Sequence, residues 1–215
     1  MTMKRFLKRQ YHRFKNILKF SRRKGLKNRT FSIFANNCGG GYVVDYFGLQ
    51  YNSPTEGLLI EINEYVKFCL NLKHYLSCEL IFINPKESVH QDIYGSLEKF
   101  GSYPIAKCDD IEIHFLHYPS VENAKSKWGR RAKRVNYNNY LVLLFEAEYS
   151  SLDDLEKYDQ QLAGVPHIIF TYKQKCLGKN FVYSEDVHNH PLHHWKPEWV
   201  LASIDWKERL NSLNE

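Results

Sequence analysis

Thr30-Phe31-Ser32-Ile33-Phe34-Ala35 runs directly into Asn36-Asn37-Cys38-Gly39-Gly40-Gly41 and then into Tyr42-Val43-Val44-Asp45-Tyr46-Phe47. The first run is rich in β-branched and aromatic residues and reads as a short strand. The second reads as a glycine loop, and the third as the start of a helix. Strand, loop and helix in that order place a ligand at the carboxyl edge of an α/β sheet. The loop matches neither G-x-G-x-x-G nor a phosphate loop ending in G-K-[ST], so it carries no dinucleotide fingerprint.

Outward from this unit, the pattern alternates. Residues 62–76 read as helix, Glu79–Ile83 as strand and 84–103 as a polar surface loop. Ile111, Ile113 and Phe115 alternate along a strand, and 120–134 read as helix. Tyr140–Phe145 is an unbroken apolar run of the kind buried in a parallel sheet. Residues 151–162 read as helix, His167–Thr171 as strand and 198–213 as a last helix. Alternating strands and helices predict an α/β fold: an open, mainly parallel sheet with helices on both faces.

The chain has 215 residues, enough for one sizeable core. Its net charge of +6 conceals an asymmetry. Residues 1–29 hold twelve Lys or Arg and no acid, which leaves 18 basic and 24 acidic residues, a net of −6, for the rest. The division is therefore a basic leader, 1–29, and a single α/β domain, 30–215. Within the leader, Leu7, Tyr11, Phe14 and Leu18 fall at helical spacing with Ile17 beside them, and Gly25 ends the segment. Such a basic amphipathic helix suits an anionic membrane surface, each cation contributing about 1 kcal/mol. It also suits docking on the body, or RNA. The acidic body argues against a broad nucleic-acid partner. Five cysteines without a C-x-x-C pair imply free thiols in a reducing compartment, and no run of about 18 apolar residues is present to span a bilayer. The expected location is cytoplasmic, peripheral on the inner face of the plasma membrane.

Several constellations carry chemistry. Cys38, beside glycines and before a helix N-terminus, is a candidate nucleophile, or else a small packed residue. Asn36, Asn37 and the Gly39 and Gly40 amides are candidates to orient a sugar or carbonyl. In Tyr51-Asn52-Ser53-Pro54-Thr55, Ser53 and Thr55 offer hydroxyls to a ligand or to a cap. Strand periodicity puts Asp110, Glu112 and His114 on one face, with His117 and Tyr118 at the strand end. These are candidates for a general base or a divalent cation, and a plain solvated face gives the same alternation. On the helix 120–134, Lys127, Arg131 and Arg134 share a face, and Arg131 and Arg134 suit phosphate or carboxylate. The histidines of Val187–Trp195 lack a ligand at standard zinc spacing and read as an exposed loop, so no metal site is assigned and the cofactor is left open.

Five blocks together resemble a known bacterial family: Phe34–Gly41, Tyr51–Leu58, Tyr103-Pro104, Asp110–Tyr118 and Trp128–Arg134. The resemblance is to the domain-of-unknown-function family numbered 1919, whose members are often labelled exopolysaccharide biosynthesis proteins, and it covers about residues 30–172. It implies an α/β fold and a place in exopolysaccharide, capsule or lipopolysaccharide assembly. It brings no agreed catalytic residues, and many members carry a bulky aromatic in the loop that here reads Cys-Gly-Gly-Gly.

The expected function is a transferase acting on glycan precursors at the membrane face. Asp110, Glu112 or His117 would be the base, Cys38 the nucleophile in a thiol variant, and Arg131 and Arg134 the holders of a nucleotide-sugar or polyprenyl-diphosphate ligand. A non-catalytic glycan-binding scaffold, a Cys38 acyltransferase or hydrolase, and an RNA-binding protein are the alternatives.

Overall fold

Among the described residues, eight strands form two four-stranded sheets, one parallel and one antiparallel. The computed structural model describes residues 17–96, 99–173, 178–189 and 195–214. In the parallel sheet the order is β1 (Ser32–Ala35), β6 (Tyr140–Phe145), β7 (His167–Thr171) and β8 (Phe181–Tyr183). In the antiparallel sheet it is β2 (Leu59–Ile60), β5 (Ile111–His114), β4 (Ile105–Cys108) and β3 (Ile81–Ile83). The expectation of one mainly parallel sheet is thus corrected: the α/β class stands, but half the strands are antiparallel.

The apolar run of β6 explains the layering. Leu141, Leu143 and Phe145 pack with Ile33, Ala35 and Phe170 against Val43, Val44 and Phe47 of α2 (Gly39–Phe47). The same side takes Val200 of α9 (Pro197–Ala202) and Trp206 and Leu210 of α10 (Trp206–Asn211). Val142 and Leu144 face the other way, onto Phe68 of α3 (Ile62–Leu70), Trp128 of α6 (Val121–Ala132) and Leu155 of α7 (Leu152–Gln161). That second core also takes Ile111, Ile113 and Phe115 from the antiparallel sheet. A strand buried on both faces has no polar side to alternate with, hence the continuous run. Each fully buried aliphatic of β6 contributes about 1.5–3 kcal/mol.

Several boundaries differ from expectation. The stretch 62–76 breaks at Asn71 into α3 and α4 (Leu72–Ser77). The last helix breaks at 203–205, where the Asp205 side chain accepts from the Lys207 and Glu208 amides and starts α10 afresh. Within 84–103 there is a 3-10 turn, Pro85–Glu87, and a short helix, α5 (Gln91–Tyr94). Part of the expected histidine-rich loop is helical, α8 (Glu185–His188), and residues 190–194 lie outside the described residues.

Most of the leader also lies outside them, and residues 17–22, here α1, are helical. The described end of the leader docks on the body. Lys19 bonds Asp45 at 2.6 Å, and Arg22 lies 4.3 Å above the Tyr46 ring. Leu26 is buried, and Asn28 exchanges carboxamide hydrogen bonds with Asn139 at 2.9 and 2.8 Å. Ile17 and Phe20 remain 65% and 75% exposed, while Leu7, Tyr11 and Phe14 of the apolar stripe lie outside the described residues. Among the described residues no helix is long and apolar enough to cross a membrane.

Candidate functional site

The carboxyl end of β1 is pinned from two sides. Asn36 Nδ2 donates to the Phe145 carbonyl and Asn36 Oδ1 accepts from the Phe145 amide, both at 2.9 Å. The carboxamide therefore continues the β1–β6 pairing for one more step after the backbone has turned away. Thr55 Oγ1 accepts from the Ala35 amide at 3.1 Å and pairs with Ser53 Oγ at 3.0 Å. Asn36, Ser53 and Thr55 are all buried. They are frame: their polar atoms are spent on holding the chain that presents Cys38.

Asn37 caps the turn, its Oδ1 accepting from the Gly39 amide at 2.8 Å. Gly39, Gly40 and Gly41 are the first turn of α2 and not a loop. Glycine is a poor helix former, so propensity opposes this; close packing overrides it. A Cβ on Gly39 would lie 2.1 Å from the Phe145 ring, and one on Gly41 would lie 2.0 Å from both carboxylate oxygens of Glu56. The absence of side chains lets the helix N-terminus sit directly on β6 and on Glu56.

Cys38 is the N-cap residue of α2. Its Sγ lies 3.1 Å from His117 Nε2, across 79 residues of sequence. His117 is seated by backbone: its amide donates to the Gly57 carbonyl at 3.2 Å. Gly57 has φ +77°, and a Cβ there would come within 3.3 Å of His117 Cβ, so this position needs glycine both for conformation and for room.

The next residue, Tyr118, ties the Glu56–Gly57 turn to α6. Tyr118 Oη donates to the Glu56 carbonyl at 2.6 Å. Arg131 Nη1 donates to Tyr118 Oη at 2.7 Å and to the Glu56 carbonyl at 3.1 Å. The Arg131 guanidinium also lies 5.1 Å from the centre of the Tyr51 ring. Arg131 is buried and committed to this wall. Four of the blocks read from sequence thus meet at one place, through Cys38, Tyr51 with Glu56, His117 with Tyr118, and Arg131.

Electrostatics give the cluster its resting state. Burial, then the Glu56 carboxylate, push the Cys38 thiol up to about 12. The α2 N-terminus favours an anion, but burial wins, and Cys38 rests as a thiol. Burial also lifts Glu56 to about 7, with Arg131 opposing it. Burial raises Tyr42, followed by the charges of Cys38 and Glu56.

Beside this cluster, at the carboxyl edge of the parallel sheet, opens a cleft of about 300 Å³. Asn36, Asn37, Phe145, Glu146 and Tyr149 are among its lining residues. Phe145 joins the two regions, since its ring lies under Gly39 and also lines the cleft.

The carboxylates of β5 do not belong here. Asp110 stands at the opposite end of the strand from His117, exposed, accepting from Tyr75 Oη at 2.6 Å and from Lys67 Nζ at 3.0 Å. Those two partners hold its carboxyl below the usual range. Glu112 and His114 do share the face opposite Ile111 and Ile113, but both are buried and paired at 3.0 Å. Glu112 accepts further bonds from Ser88 Oγ and the Val89 amide. The expected open row of Asp110, Glu112 and His114 is corrected to an exposed ion pair and a sealed polar pair, because Ser88, Val89, Tyr94, Phe100 and Tyr103 cover that side of the sheet. Arg134 lies near enough to Arg130 and Arg131 for their charges to lower its pKa, after burial. Glu56 was legible only as a carboxylate between Thr55 and Gly57 in a quoted block; nothing in its spacing announced that it would face Gly41.

The family model for DUF1919, a domain of unknown function, matches residues 9–195. The chain belongs to this family. The DUF1919 match is wider than residues 30–172 and takes in much of the basic leader and the histidine run. An uncharacterized protein of Haemophilus influenzae is 27% identical over 158 residues, 74% of this chain and 69% of that protein.

Proposed function

We propose that this DUF1919 protein is a thiol-dependent acyltransferase or hydrolase, with Cys38 as nucleophile and His117 as general base. The observation that carries the reading is the 3.1 Å approach of Sγ to Nε2 at the carboxyl edge of the parallel sheet. Cys38 rests as a neutral thiol, so its proton must leave as the new bond forms. Sγ attacks an acyl carbonyl while His117 Nε2 takes the thiol proton. The tetrahedral intermediate collapses, the leaving group departs with that proton, and a thioester remains on Cys38. An acceptor hydroxyl or water then attacks the thioester; His117 takes its proton and returns it to the departing sulfur. First-turn amides of α2 are the candidate donors to the developing oxyanion. Glu56 and Tyr42 face the same space, and the cleft lined by Asn36, Asn37 and Phe145 takes the acyl or acceptor portion.

The substrate in this reading is a precursor of bacterial surface polysaccharide. The resemblance suggests the pathway, and the cations Lys127 and Arg130 on α6, with Arg134 just past its end, suit a nucleotide-sugar or polyprenyl-diphosphate acceptor. The basic leader would hold the enzyme at the cytoplasmic face of an anionic membrane, the exposed Ile17 and Phe20 entering the headgroup region.

The test is turnover of acyl thioesters and activated esters, with and without glycan acceptors, by the full chain and by Cys38→Ser. Loss of turnover in Cys38→Ser with an unchanged melting curve supports the reading. A folded wild type that binds glycan and consumes no donor would leave the non-catalytic scaffold instead. Sedimentation with vesicles containing anionic phospholipid, with residues 1–16 present or deleted, tests the membrane part.

A further inference from the structure

At the far end of β5 from His117, three unlike side chains converge on one point. His74 lies on α4, and Cys78 is the C-cap of that helix, one turn on. Asp109 stands in the two-residue turn between β4 and β5, where Cys108 pairs with Ile111. His74 Nε2 is 2.8 Å from Asp109 Oδ2 and 3.5 Å from Cys78 Sγ. The three ligand-type atoms all lie within 4.8 Å of one another.

A surface His–Asp pair alone explains the first distance. It does not explain a thiol on the same ring nitrogen. Asp109 is the one non-glycine residue among those described with a positive φ, at 57°, a conformation that two-residue hairpin turns use. Its carboxylate meets His74 on α4, while neighbouring Asp110 goes to Lys67 and Tyr75.

The His74–Cys78 distance fits a tetrahedral ion. Bond lengths of about 2.3 Å to sulfur and 2.0–2.1 Å to nitrogen, at a tetrahedral angle, set S···N near 3.5 Å and N···O near 3.4 Å. The His74–Cys78 separation is already there, and Asp109 has to withdraw by roughly half an ångström. We infer that His74, Cys78 and Asp109 form a three-ligand site for a zinc-class divalent cation, with solvent as the fourth ligand. Binding releases the Cys78 thiol proton to water. The resulting thiolate and the Asp109 carboxylate balance the two charges of the ion; the proton that Nε2 shares with Asp109 passes through solvent to Nδ1, so that neutral His74 donates a lone pair from Nε2. His74 and Asp109 are about half exposed, so the ion enters directly from solvent. Cys108 is not a ligand: it is buried, and its Sγ donates to the Tyr75 carbonyl at 3.3 Å. The site clamps α4 to the β4–β5 turn, remote from Cys38, so its failure leaves the thiol-enzyme reading untouched.

Titration of the reduced, metal-free full chain with Co(II) tests this directly. The expected result is one equivalent bound with a thiolate-to-cobalt charge-transfer band, displaced by Zn(II), and a Tm raised by Zn(II). Cys78→Ser removes the band, and His74→Ala and Asp109→Asn each weaken binding by roughly tenfold or more. Absence of the band in the wild type overturns the proposal. So does a band that survives Cys78→Ser, or binding that survives Cys78→Ser and disappears when His190, His193 and His194 are replaced, which would place the ion at the histidine run.

Discussion

The Asn36 carboxamide exchanges two hydrogen bonds with the backbone of Phe145, each 2.9 Å long, and so fixes the point at which the chain leaves β1 two residues before Cys38. Asn36→Ala leaves a buried amide and a buried carbonyl of Phe145 without partners. It is expected to destabilise the fold by about 2–6 kcal/mol, at about 1–3 kcal/mol for each orphaned group. Asn36→Asp keeps the acceptor and loses the donor, so urea denaturation should rank it between wild type and alanine.

Gly41 makes a second test of the same geometry. A methyl there would lie 2.0 Å from the Glu56 carboxylate, so Gly41→Ala must push Glu56 aside. The expected loss is about 1–3 kcal/mol, the usual range for overpacking. Gly164, with nothing within 4 Å of an added Cβ, is the control. Gly164→Ala should stay within about 0.5 kcal/mol of wild type, and equal effects of the two substitutions would contradict the packing described at the α2 N-terminus.

Glu56 predicts a pH dependence with a definite sign. Its carboxyl is raised from an ordinary value of 4.5 to about 7 in the folded protein. Between those values the folded chain binds more protons than the unfolded one, so stability falls as pH rises from 4.5 through 7 and levels off above. The full effect is on the order of 3 kcal/mol. Glu56→Gln removes the titration, so the stability difference between variant and wild type should move in the variant's favour across that window. Denaturation midpoints at pH 5 and pH 8 measure it; a flat difference would place Glu56 in water.

Much of the frame could be read from residues in order. Tyr140–Phe145 and His167–Thr171 are strands with the bounds their apolar runs give, because burial on both faces leaves no polar position to blur the ends. The expected helix 120–134 begins within one residue of that bound, Ser120 capping α6 by accepting from the Asn123 amide. What escaped reading depends on contacts distant in sequence. β2 is two residues long and carries no periodicity of its own. The Gly39-Gly40-Gly41 turn reads as loop by propensity and is helical because β6 and Glu56 press against it. Glu112 and His114 read as an open row of base or cation-ligand candidates, or a solvated face, since alternation cannot tell a face open to water from one sealed by Ser88 and Val89. At the site, Cys38, His117, Tyr118 and Arg131 were singled out separately, and only the fold brings them together.

Modification of Cys38 by p-nitrophenyl acetate tests the pairing of thiol and imidazole most directly. Intact mass and peptide mapping, followed in time for wild type, His117→Ala and Cys38→Ser at pH 7.5, give the site and the rate. A single acetyl group on Cys38, formed at least about a hundredfold more slowly in His117→Ala, is the predicted result, in the range general-base catalysis contributes. No adduct at Cys38 in a folded wild type, or equal rates with and without the His117 imidazole, would contradict it.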